Sequence, residues 1–140
     1  MAKLSPEAEA LLGTRGLGEL AEKMGIELVE LSAELAIATM PVQGNRQPLG
    51  LLHGGAYVVL AETLGSIAAN VWAYPDKAAV GIEVNASHSN AAREGIVTAT
   101  CKAISLGRSL TTHEIAITDE TGKRLSTVRI TNFLKARAVQ

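Results

Sequence analysis

The hydrophobic and polar positions of this chain divide it into recognisable segments. Residues 5 to 24 open on Ser5-Pro6-Glu7, a helix start with proline at the first helical position. Short helical stretches follow, interrupted by Gly13, Gly16 and Gly18, which predicts one or two short surface helices. From Gly25 to Met40 apolar residues alternate, Ile26 and Leu28 before a break near Ser32-Ala33, Leu35 and Ile37 after it. That pattern predicts two strands and a hairpin turn. Residues 41 to 50, PVQGNRQPLG, read as an ordered loop. Leu51 to Tyr74 is a run of helical length whose single formal charge is Glu62. A helix apolar on nearly every face is buried or spans a membrane, and a mid-span carboxylate is costly in hydrocarbon, so burial is expected. After Pro75-Asp76 come four strand-like stretches, Ala78 to His88, Gly95 to Ser105, Ser109 to Thr118 and Lys123 to Lys135, separated by turn signals. They predict an antiparallel meander. Adding the early hairpin gives an α+β layout, about six strands wrapped around one long apolar helix, in a single domain over residues 1 to 140.

Composition narrows the functions this layout can serve. The chain has 140 residues, enough for one core, and 47% of them are hydrophobic. Thirteen Lys and Arg against fourteen Asp and Glu leave a net charge of −1, with no excess to hold a polyanion, so nucleic acid is not an expected partner. Cys101 stands alone and the three histidines are dispersed, so neither an internal disulfide nor a metal is expected. No basic flank followed by an apolar run begins the chain, and the expected location is the cytoplasm, without a membrane partner.

Two features carry chemistry. A carboxylate within an apolar helix needs pairing, hydrogen bonding or a function. Thr63 lies beside Glu62, and Ser66 and Asn70 follow it at i+4 and i+8, so the helix's polar side chains form one narrow stripe, expected to face a cleft or another subunit. At the helix start, His53-Gly54-Gly55 offers unpaired backbone N–H groups and the positive end of the helix dipole. Such a start can hold a developing oxyanion, and glycine lets a carbonyl approach the main chain closely.

Combined, these residues carry a resemblance. The string from Gln47 through His53-Gly54-Gly55 and Leu60-Ala61-Glu62 to Ser66 resembles the active-site segment of hotdog-fold acyl-CoA thioesterases. Within them it is most similar to the phenylacetate-pathway and Arthrobacter-type 4-hydroxybenzoyl-CoA groups. Those carry Gln six residues before HGG, Glu nine residues after the His, and Ser or Thr one turn on. Gly81 to Gly95 (GIEVNASHSNAAREG) resembles the family's next strand and turn, and Gly107-Arg108-Ser109 its G-R-[ST] turn. The resemblance implies a dimerising hotdog fold that hydrolyses small aryl- or acyl-CoA thioesters. In it the Gly54 N–H polarises the thioester carbonyl, His53 holds that turn, and Glu62 attacks as nucleophile or activates a water as general base. Gln47 acts across a dimer interface from Glu62, and Ser66 bonds the carboxylate or positions the water. Substrate contacts are expected from Gly55, Tyr57, His88, Asn90, Arg93, Gly107, Arg108 and Ser109. Coenzyme A belongs to the substrate and no further cofactor is implied; the expected assembly is a homodimer or a dimer of dimers. Two other readings of the fold are a non-catalytic acyl-CoA-binding module, against which Glu62 speaks, and a dehydratase or hydratase, for which no Asp lies near His53.

Overall fold

The computed structural model describes residues 1–13 and 15–137. In chain order it runs β1 (Lys3–Leu4), α1 (Pro6–Leu12), α2 (Glu19–Met24), β2 (Glu27–Leu31), β3 (Leu35–Pro41), α3 (Gly54–Ala73), β4 (Lys77–His88), β5 (Ile96–Leu106), β6 (Leu110–Thr118) and β7 (Arg124–Ala136). The Ser5 hydroxyl caps α1 by accepting the Ala8 N–H at 3.2 Å, with Pro6 just inside the helix, as that tripeptide dictates. Ser32 closes the β2–β3 hairpin: its hydroxyl accepts the Leu35 N–H at 3.1 Å. α3 is the 20-residue helix expected from the apolar run.

The seven strands form one sheet in the order β1-β2-β3-β5-β6-β7-β4. The predicted six strands all pair antiparallel, and β1 adds a seventh, a two-residue segment parallel to β2 and too short to produce a periodic signal. The predicted four-strand meander holds only for β5, β6 and β7. β4 does not pair with β5; residues 89 to 95 carry the chain across, and β4 lies beside β7 at the far edge of the sheet. Turn residues mark where a strand stops and say nothing of which strand it will meet.

α3 lies across the sheet, burying Tyr57, Leu60, Ala61, Leu64, Ala68 and Ala69. Gly65 sets the closeness of that approach, since a Cβ there would stand 2.5 Å from Ile130 Cγ2 on β7. His113 and Cys101 are both fully buried in the sheet's inner face. Burial pushes the Cys101 thiol up to about 12. Burial also lowers the His113 pKa, opposed by the Ala33 carbonyl, 2.9 Å from Nε2.

β4 is different from every other long strand. It is paired on one side only, carries a bulge between Gly81 and Glu83, and leaves Val80 and Ile82 38% and 58% exposed. A twelve-residue edge strand with exposed apolar side chains is a ready template for pairing.

Candidate active site

The site begins at the entry to α3. His53 is the N-cap residue, and its Nδ1 accepts the Gly55 N–H at 2.8 Å. A ring nitrogen that accepts carries no proton, so His53 is held as a capping acceptor. The imidazole explains Gly55, because a Cβ there would stand 3.0 Å from Nδ1. Gly54 is confined from the other side, where a Cβ would stand 3.1 Å from His88 Nε2. The Gly54 N–H, first in the helix, has no intrahelical partner and points along the positive end of the dipole.

His88 ends β4. Its Nδ1 lies 2.8 Å from Ser126 Oγ, and its ring centroid is 4.9 Å from that of Tyr57. The register pairs His88 with Ser126 and Asn85 with Arg129, which places the two on opposite faces, His88 toward the helix. Tyr57, expected among the substrate contacts, is only 2% exposed and packs in the core. Burial raises its hydroxyl pKa against the nearby Ala92 backbone, which draws it down.

Glu62 lies two turns further along α3. The sequence places this carboxylate inside an apolar helix; the structure exposes it. The exposure has a physical cause: α3 overhangs β4, the last strand of the sheet, and among the described residues no further strand covers that flank. Glu62, Thr63, Ser66 and Asn70 share the flank with Val59 and Ile67, and together they wall a cavity of about 680 Å³. The opposite wall comes from the α1–α2 segment, through Leu11, Leu12, Leu17 and Leu20. The polar stripe therefore does face a cleft. Asn70 at its end is structural: its amide bonds the Ala79 N–H and C=O, fastening α3 to β4.

Beneath Glu62 the sheet has no side chain at Gly81, where a Cβ would stand 3.6 Å from Glu62 Oε2 and 3.7 Å from Asn132 Oδ1. Asn132 and its register neighbour Thr111 are fully buried polar residues that the sequence reading missed. Their only signal was polarity at inward positions of β7 and β6, and it becomes legible once the register is known.

The other expected residues are spread out. Gln47 lies in the loop before α3 and is not on the wall of the Glu62 cavity; its Oε1 accepts the Leu49 N–H. Asn90 closes the end of β4 by donating to the Arg124 carbonyl at 2.7 Å, and the Arg93 carbonyl accepts from Arg46 Nε at 3.0 Å. Gly107, Arg108 and Ser109 form the β5–β6 turn beyond the far end of α3, where Trp72 Nε1 donates to the Gly107 carbonyl and Lys77 Nζ to that of Arg108. Arg108 and Ser109 are exposed. Among the described residues no three of His, Cys, Asp and Glu converge as a metal site.

One dimension governs the chemistry. Gly54 and Glu62 are eight residues apart on one helix, about 12 Å along its axis. A single carbonyl cannot touch both within one chain.

Comparison with known proteins extends these observations. The family model for the thioesterase superfamily matches residues 49–126, the segment from the loop before α3 into β7. The chain is 46% identical over 123 residues to the proofreading thioesterase EntH of Cronobacter turicensis, covering 87% of this chain and 89% of that one. It is 40% identical over 124 residues to the 1,4-dihydroxy-2-naphthoyl-CoA hydrolase of Escherichia coli K12, covering 88% and 91%. Among solved structures, the thioesterase HI1161 of Haemophilus influenzae superposes with a TM-score of 0.81 at 35% identity, over 91% of this chain and 87% of that one.

Proposed function

The chain belongs to the thioesterase superfamily, has its hotdog fold and is a thioester hydrolase; from that premise we propose that it cleaves small aryl- or acyl-CoA thioesters to the free acid and CoA. The observation that carries the reading is the exposed Glu62 carboxylate on the wall of a cavity lined in large part by apolar side chains, with the Gly54 entry to α3 beside His88 at the end of the same edge strand that runs past Glu62. The benzoyl, phenylacetyl and naphthoyl classes stand first among substrates. A flat aromatic or medium-length acyl group suits a cavity of about 680 Å³ whose apolar lining is mainly leucines, valine and isoleucine.

The protein acts as a homodimer, or a dimer of dimers, through β4. Gly81 stands beside Glu62 and His88 stands beside Gly54. Antiparallel self-pairing of β4 with Gly81 opposite His88 of the partner subunit resolves the separation along α3. It brings Glu62 of one protomer to Gly54 of the partner subunit, and it covers the exposed edge. The Gly54 N–H donates to the carbonyl oxygen, which gains negative charge as the carbonyl carbon is attacked. Glu62 either attacks that carbon itself, forming an anhydride that water then opens, or takes a proton from the attacking water. In both routes water supplies the hydroxyl of the acid, and CoA leaves as the thiol after protonation. Gln47 of the partner subunit orients the water or the thioester, Ser66 supports the carboxylate from one turn away, and Arg108 and Ser109 meet the coenzyme's phosphates at the surface.

The test is a hydrolysis panel of CoA thioesters in which released thiol is read directly. Cys101, fully buried, does not compete for the thiol reagent while the protein is folded. Hydroxybenzoyl- or phenylacetyl-CoA should show a higher kcat/KM than palmitoyl-CoA below its micelle concentration. Equal or better turnover of palmitoyl-CoA defeats the substrate class; no turnover of any thioester defeats the CoA-thioester reading as a whole.

A further inference from the structure

We infer that Asn132 is a positioning residue that holds the Glu62 carboxylate from beneath, an inference that rests on Glu62 being the group that acts on the thioester. Asn132 is 0% exposed, and neither its amide nitrogen nor its amide oxygen has a hydrogen-bond partner among the described residues. A fully buried amide with both ends unpaired is strongly disfavoured, and natural chains keep few of them. Its register neighbours are Gly81 on β4 and Thr111 on β6, and strand alternation puts all three on the helix side of the sheet.

Gly81 makes the connection. Having no side chain, it leaves a gap bordered by Glu62 Oε2, Asn132 Oδ1 and Ile130 Cδ1, all within 4 Å of the point its Cβ would occupy. On the opposite side of Asn132 stands the Thr111 hydroxyl, also buried and unpaired among the described residues. The amide torsion of Asn is broad and roughly two-fold, so the group turns over readily. With Oδ1 toward Glu62 two acceptors face one another; turned over, a donor faces the carboxylate and the amide oxygen faces the Thr111 hydroxyl. The amide N–H then donates to the Glu62 carboxylate, directly or through one water in the gap, and the Thr111 O–H donates to Oδ1. A neutral donor at this point fixes the direction of the carboxylate without adding a positive charge beside it.

The experiment is a double-mutant cycle on the full-length protein, with kcat and KM read on the best substrate of the panel. Asn132→Leu, close in volume and unable to donate, should lower kcat about tenfold and leave KM within about twofold, as loss of a hydrogen bond to a charged group implies. Thr111→Val should lower kcat about threefold in the same direction. In a Glu62→Ala background Asn132→Leu should have no further effect on residual turnover, which separates positioning from a general structural role. Melting curves should show Asn132→Leu folded and modestly less stable than the parent, since the buried Thr111 hydroxyl loses its acceptor. Should it fail to fold, Thr111→Val carries the same cycle. Unchanged kcat in Asn132→Leu, or in Thr111→Val where that variant replaces it, overturns the inference. So does an equal loss with and without Glu62. Wild-type turnover in Glu62→Ala instead overturns the functional reading beneath it.

Discussion

The two flanks of α3 repeat with the same spacing and do opposite things. Tyr57, Leu60, Ala61, Leu64 and Ala68 form the buried flank; Val59, Glu62, Thr63, Ser66 and Asn70 form the open one. The second series is the first moved by two residues, about 200° around the helix. On the buried flank small and branched side chains seat the helix on β6 and β7, and Gly65 fixes the distance. On the open flank Asn70 fastens the helix to β4, while Glu62, Thr63 and Ser66 lie over an unpaired strand edge, where reaction chemistry can use them. Substitutions on the two flanks should therefore separate stability from turnover.

The largest effect belongs to the open flank. Glu62→Ala should lower kcat by about 10²-fold or more, the scale of a lost catalytic carboxylate, while the melting temperature and the oligomer stay as they are. A variant that melts several degrees lower would show that Glu62 serves packing, and the contrast between the flanks would fail. The buried flank should answer in the opposite currency. Gly65→Val forces a side chain against Ile130 and should cost about 1–3 kcal/mol, measured by chemical denaturation, with kcat/KM of the remaining folded protein little changed.

Gln47 sharpens the comparison across the proposed dimer. Gln47→Ala should weaken turnover by about tenfold, less than Glu62→Ala, because orientation is one contribution among several. Mixed dimers of a Gln47→Ala chain with a Glu62→Ala chain should regain about one working site per dimer, by the symmetry of an isologous interface. No recovery in a confirmed mixed dimer would put both residues in one subunit. The smallest effect should come from Ser66→Ala, a fall of about threefold in kcat, consistent with one neutral hydrogen bond to the carboxylate's surroundings.

The early helices, the β2–β3 hairpin, α3 and the boundaries of β4 through β7 were legible in the sequence, because proline, glycine, alternation and helical periodicity act over a few residues. The segment from Gln47 to Ser66 was legible as a motif for the same reason, and so was the eight-residue separation of Gly54 from Glu62. What stayed hidden depends on long-range pairing. β4 looked like the first strand of a meander, since a turn signal does not choose a partner. The stripe on α3 was legible as facing a cleft or another subunit, but which elements wall that cleft is set by where the sheet ends.

Taken alone, then, the sequence determined the elements, the polar stripe on α3 and the capped glycine entry that His53 closes. Tertiary structure decided which flank of α3 stays open, placed Gly81 beneath Glu62, and brought Asn132 and Thr111 from two distant strands to the same floor. The division follows the range of the forces. Backbone propensity and capping are satisfied within a turn or a strand, while burial and the register that aligns side chains across strands exist only once the whole sheet has closed over the helix.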